Sequence, residues 1–71
     1  MRFTETERYD VLSDQRVVRL MCITDTGTYH IEVPADDGLL RQRRAEFKQL
    51  VLQSIDAGIA PCELELEDED A

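Results

Sequence analysis

The sequence predicts one small α+β domain: an antiparallel sheet of three to four strands, ordered β-β-β-α-β, packed in two layers on one amphipathic helix. Three observations predict it. Two stretches near the start of the chain alternate apolar and polar residues around a short Gly-containing turn, which is the pattern of a β-hairpin. A stretch of about twenty residues then carries apolar side chains at helical spacing and ends at a Gly and a Pro. Finally, 71 residues are enough for one domain only, with a core too thin to enclose a large cofactor.

Residues 2–12 alternate imperfectly. Phe3, Tyr9 and Val11 share a face with Glu5 and Glu7, which predicts a strand at the edge of the sheet. Leu12-Ser13-Asp14-Gln15 reads as a turn. Residues 16–24 are apolar on both faces. Val18, Leu20 and Cys22 point one way, and Val17, Met21 and Ile23 point the other beside Arg19, which predicts a central strand or a face covered by a partner. Thr24 to Thr28 form the hairpin turn, with Gly27 at the position that takes positive φ. Tyr29, Ile31 and Val33 alternate with His30 and Glu32, and Pro34 stops that strand.

Asp36-Asp37 supplies a helix N-cap and negative charge for the first turn. The helix is expected over 37–57. Leu40, Phe47, Leu50, Val51, Ser54 and Ile55 form its apolar stripe, and Arg41, Arg44 and Lys48 line a flank. Gly58 and Pro61 end it. Cys62, Leu64 and Leu66 then alternate with Glu63, Glu65 and Glu67, which predicts a short last strand, with a wholly disordered end as the alternative reading. The expected organisation is a single domain over 1–66 and an acidic, disordered end over 67–71.

The formal charge of −8 is segregated. Glu63, Glu65, Glu67, Asp68, Glu69 and Asp70 are six of the sixteen acids; without them, ten acids face eight bases, a net of −2. Arg41, Arg43, Arg44 and Lys48 place four of the eight bases within one stretch of helix. That cluster reads as a solvated helix face, as a partner for acids of the chain's own end or of another protein, or as a phosphate contact. It lacks interleaved aromatics for base stacking, and the chain's net charge would repel nucleic acid. No direct nucleic-acid binding is therefore expected. The charged start of the chain lacks an apolar signal region and no long apolar run follows, so no membrane association and a cytoplasmic location are expected.

Enzyme signatures each meet a simpler explanation. Asp25-Thr26-Gly27 matches the catalytic triplet of aspartic proteases, but Asp and Gly are also what a hairpin turn requires, and the chain is too short for the surrounding barrel. Cys22, Cys62 and His30 lack the paired spacing of a zinc site. The two thiols read as reduced, with a Cys22–Cys62 disulfide open if their strands are neighbours. His30 has Thr28 and Glu32 on its face but no cleft around it, and Asp36-Asp37 is a helix start before it is a glycosidase pair. No catalytic residue, cofactor or metal is expected.

The functional expectation is a small acidic interaction protein that binds and modulates, by inhibition, a larger partner. Small regulators of this size class include those carried by phages and mobile elements. Glu63, Glu65, Glu67, Asp68, Glu69 and Asp70 would meet a basic, nucleic-acid-binding partner, with Arg41, Arg44 and Lys48 as a second contact. Alternate strand carboxylates lie roughly 6–7 Å apart, near the phosphate spacing of a nucleic-acid strand. The acidic end also reads as a plain solubilising tail or as a lid on the basic patch. The alternative function is a structural or assembly subunit, a homodimer or larger homo-oligomer joined through strand edges or through the Val17, Met21 and Ile23 face.

Overall fold

The computed structural model describes residues 1–65. Its elements are β1 (Arg2–Asp10), β2 (Gln15–Thr24), β3 (Gly27–Pro34) and α1 (Asp37–Asp56). The strands form one antiparallel sheet in the order β1-β2-β3, so β2 is central and β1 lies at an edge, as the alternation predicts. Directly paired residues include Phe3 with Cys22, Glu5 with Leu20, and Leu20 with Ile31.

The core lies between the sheet and α1. Val18, Leu20 and Cys22 from β2, Tyr29, Ile31 and Val33 from β3, and Leu40, Phe47 and Val51 from α1 are all buried. Helix α1 lies over β3 and β2 and reaches β1 only with side chains. That placement explains why the inner face of β1 can carry Glu5 and Glu7. The opposite face of the sheet is open. Val17 and Met21 are half-buried there, and Ile23 is exposed. Arg8 and Arg19 converge on Glu32 across that face, at 2.8 and 3.7 Å.

Local chemistry sets the element ends. Asp36 caps α1, accepting the Gly38 amide at 2.9 Å. At the other end the Gly58 amide donates to Ile55 and the Ile59 amide to Ser54, closing the helix with Gly58 at φ +76°. Ser54 is buried on the helix stripe and donates its hydroxyl back to the Leu50 carbonyl at 2.8 Å.

Four expectations need correction. The first strand stops at Asp10, not Leu12, because the Asp10 carboxylate accepts from the Leu12 amide and the Ser13 hydroxyl and closes a turn. Val11 is consequently exposed rather than on the inner face with Phe3, while Leu12 lies in the turn as expected. Ile55 leaves the apolar stripe and is 45% exposed, since the narrow sheet does not extend beneath it. Cys62 faces solvent instead of the core, and it neighbours β3 rather than β2, so no Cys22–Cys62 bond forms and both thiols are free. Burial pushes the Cys22 thiol above its ordinary pKa.

The last strand is reduced, within the described residues, to one parallel bridge between His30 and Glu63. The His30 amide donates to the Cys62 carbonyl at 3.2 Å and the Leu64 amide to the His30 carbonyl at 2.8 Å. Leu64 rests against the core while Glu63 and Glu65 face out, so the predicted alternation holds there. Leu66 and the expected disordered end, 67–71, lie outside the described residues.

Candidate protein interaction site

Two charged surfaces form on opposite edges of the sheet. The first is a groove of about 340 Å³ between β1 and α1, floored by Phe3, Leu20 and Phe47 and rimmed by Arg41, Arg44 and Lys48. Spacings of three and four residues put those three cations on one helix flank, as the sequence predicts. The phenyl rings of Phe3 and Phe47 meet edge to face, 6.1 Å between centroids and 87° apart. The Lys48 ammonium stands 5.3 Å above the Phe3 ring. Arg44 donates both a Nε and an Nη hydrogen bond to the two Glu5 oxygens, each at 2.8 Å.

Arg43 departs from the other three bases. It points to the β3 side and pairs with Glu46 at 2.8 Å. There it lines a second groove, of about 380 Å³, with Glu32, Glu63, Leu64 and Glu65. This is the second surface, and it begins the acidic run. Among the described residues no ion pair joins Glu63 or Glu65 to Arg41, Arg43, Arg44 or Lys48. The expected lid of acids on the basic patch is therefore not made by the two described acids. Glu67, Asp68, Glu69 and Asp70 lie outside the described residues.

The remaining candidates do not converge. Asp25 and Thr26 are exposed in the hairpin turn, where the Thr24 hydroxyl donates to the Gly27 carbonyl at 2.8 Å. His30 lies on the open sheet face, and its backbone holds the C-terminal bridge. Sequence reasoning missed the apolar floor of the β1–α1 groove. Its signal was the single Phe3 on an otherwise polar strand, facing the same side as the central apolar residues.

Electrostatics around these surfaces give a pH-dependence. The Arg44 hydrogen bond holds the Glu5 carboxyl below the usual range. Arg8 does the same for Glu32, and Gln42 with Arg43 for Glu46. A carboxyl lowered in the folded state favours folding above its unfolded pKa of roughly 4.3. That contribution is lost as the pH falls from there through the lowered folded values. The urea midpoint is thus expected to decrease on acidification through this window, and Glu5→Gln to flatten the decrease. Solvent screening keeps the effect of each exposed pair small. An equal slope in Glu5→Gln and wild type would show that the Arg44–Glu5 pair is not responsible.

Comparison with known proteins adds no relative: the chain matches no family model, no curated protein and no solved structure.

Proposed function

We propose that this protein is a small, non-enzymatic interaction protein that binds a larger basic partner and inhibits it by covering a surface meant for nucleic acid. The observation that carries this reading is the anchored start of the acidic run. Two backbone hydrogen bonds to His30 and the packing of Leu64 hold the segment against the edge of β3, with Glu63 and Glu65 exposed. In sequence, Glu67, Asp68, Glu69 and Asp70 continue the run without a base. A charge series anchored at one end loses less freedom on binding than a free tail, so more of its Coulomb attraction survives as affinity. Its separation from Arg41, Arg44 and Lys48 leaves the described carboxylates available to a partner. Such a contact steers association and weakens as salt rises.

Leu64 and the His30 bridge belong to the fold, so the test keeps them and removes charge alone. A full-length variant in which the six acids from Glu63 to Asp70 become Gln or Asn is compared with wild type in capture from host lysate at two salt concentrations. The expected result is a basic protein held by wild type at low salt, released at high salt and lost with the variant. Addition of wild type is then expected to displace nucleic acid from that protein. Equal capture by both proteins, or displacement by neither, rejects the reading.

A further inference from the structure

We infer that β1 is a self-recognition edge on which a second copy of this chain pairs antiparallel about a two-fold axis at Thr6, making one six-stranded sheet. Strand β1 pairs with β2 alone, so its other edge carries no opposing strand among the described residues. Helix α1 lies over β3 and β2, which leaves room beside β1 for a second strand. A two-fold axis perpendicular to the sheet keeps both helices on one side and joins the sheets edge to edge.

The residues of β1 fit that axis. About Thr6, the strand Arg2-Phe3-Thr4-Glu5-Thr6-Glu7-Arg8-Tyr9-Asp10 places an aromatic on each side at equal distance and a base and an acid at its two ends. Pairing at this centre sets Arg2 opposite the second copy's Asp10, Phe3 opposite its Tyr9, and Thr4 opposite its Arg8. Opposite charges and aromatic pairs facing each other across strands are both favourable. Tyr9, 54% exposed in one copy, gains an aromatic neighbour. The unfavourable opposition is Glu5 with Glu7, which the two-fold axis makes twice. Each of these already has a cation from its own chain, Arg44 for Glu5 and Arg16 for Glu7, so the dimer alternates charges there instead of bringing two bare carboxylates together.

Neighbouring registers are worse. A shift of the axis to Glu5 sets Arg2 against Arg8 and Glu5 against itself. A shift to Glu7 sets Glu7 against itself and leaves Arg2 and Phe3 unmatched. Charged residues on an edge strand ordinarily block pairing with other chains. Here the Arg2–Asp10 and Phe3–Tyr9 pairs form with the axis at Thr6 and at neither neighbouring centre, which commits the edge to a copy of itself in that register.

The experiment measures association by analytical ultracentrifugation and register by cross-linking, on the full chain with Cys62→Ser to remove the exposed thiol. Thr6→Cys puts the two new thiols directly opposite each other, within the separation that a disulfide spans. Thr4→Cys does not, because Thr4 faces Arg8 of the second copy. The expected results are a concentration-dependent dimer, rapid cross-linking of Thr6→Cys alone, and association weakened about tenfold by Arg2→Asp, which sets two acids against each other at both ends. Arg2 is exposed and outside the core, and circular dichroism confirms that the variant is folded. A protein monomeric at every concentration overturns the inference. So does a dimer that cross-links equally through Thr4→Cys or ignores Arg2→Asp.

Discussion

Phe47→Ala is expected to lower the folding free energy by about 3–5 kcal/mol, the cost of removing a buried aromatic ring and leaving a cavity. Phe47 is 2% exposed and lies at the middle of the helix stripe, between Leu40 and Val51. Its ring holds the edge-to-face contact with Phe3, the one aromatic contact between α1 and β1. A domain of this size has a total stability of roughly 4–10 kcal/mol. The loss is therefore roughly a third or more of the total stability. Thermal and urea melts followed by circular dichroism measure the loss. Phe47→Leu, which keeps most of the volume, is expected to lose less than about 2 kcal/mol. A loss below about 1 kcal/mol in Phe47→Ala would mean that the two layers close over the gap and that the core is not as tightly fixed as the burial of Val51 and Cys22 implies.

That core was readable from sequence because each of its elements repeats. Val18, Leu20 and Cys22, then Tyr29, Ile31 and Val33, are two runs of period two, and Leu40, Phe47, Val51 and Ser54 form one helical stripe. All lie on the faces that the alternation assigns them. Periodicity fails where a single side chain overrides it. Asp10 accepts two local hydrogen bonds and turns the chain, so Val11 loses the strand position that the alternation assigns it. Ile55 has the right spacing but no sheet below it, because stripe width is set by the partner layer.

The charged surfaces were legible in the same uneven way. Spacing puts Arg41, Arg44 and Lys48 on one flank, and the structure agrees; the reading of all four bases as one cluster does not hold, because Arg43 turns to the β3 side. The groove that the three cations rim was not legible. It depends on the helix lying over β3 and β2 and leaving β1 bare, and no local pattern encodes a crossing position. The same placement separates the cations from Glu63 and Glu65, which a linear reading of charge brings together.

Gly27→Ala is expected to cost about 1–3 kcal/mol, for two reasons that act at one atom. Gly27 has φ +148°, a conformation that residues with a Cβ rarely adopt. A Cβ there would also lie 3.1 Å from the Pro61 Cβ and 3.3 Å from its Cγ. Proline is a rigid ring, so it cannot fold away as a long side chain would. Either the β2–β3 hairpin or the C-terminal segment must shift. The segment is the weaker of the two, since two backbone hydrogen bonds and Leu64 hold it, while a full ladder holds β3 to β2. The expected response is therefore local: a lower melting temperature together with faster amide exchange at Leu64, and retained protection at Leu20 and Ile31 in the sheet. Unchanged exchange at Leu64 with an equal loss of stability would place the strain in the hairpin turn instead. An unchanged melting temperature would show that Pro61 moves aside freely and that the turn accepts a Cβ. The variant also links fold to function, because loosening this clamp frees the anchored start of the acidic run. If anchoring supports affinity as proposed, Gly27→Ala weakens capture of the basic partner while every carboxylate remains in place.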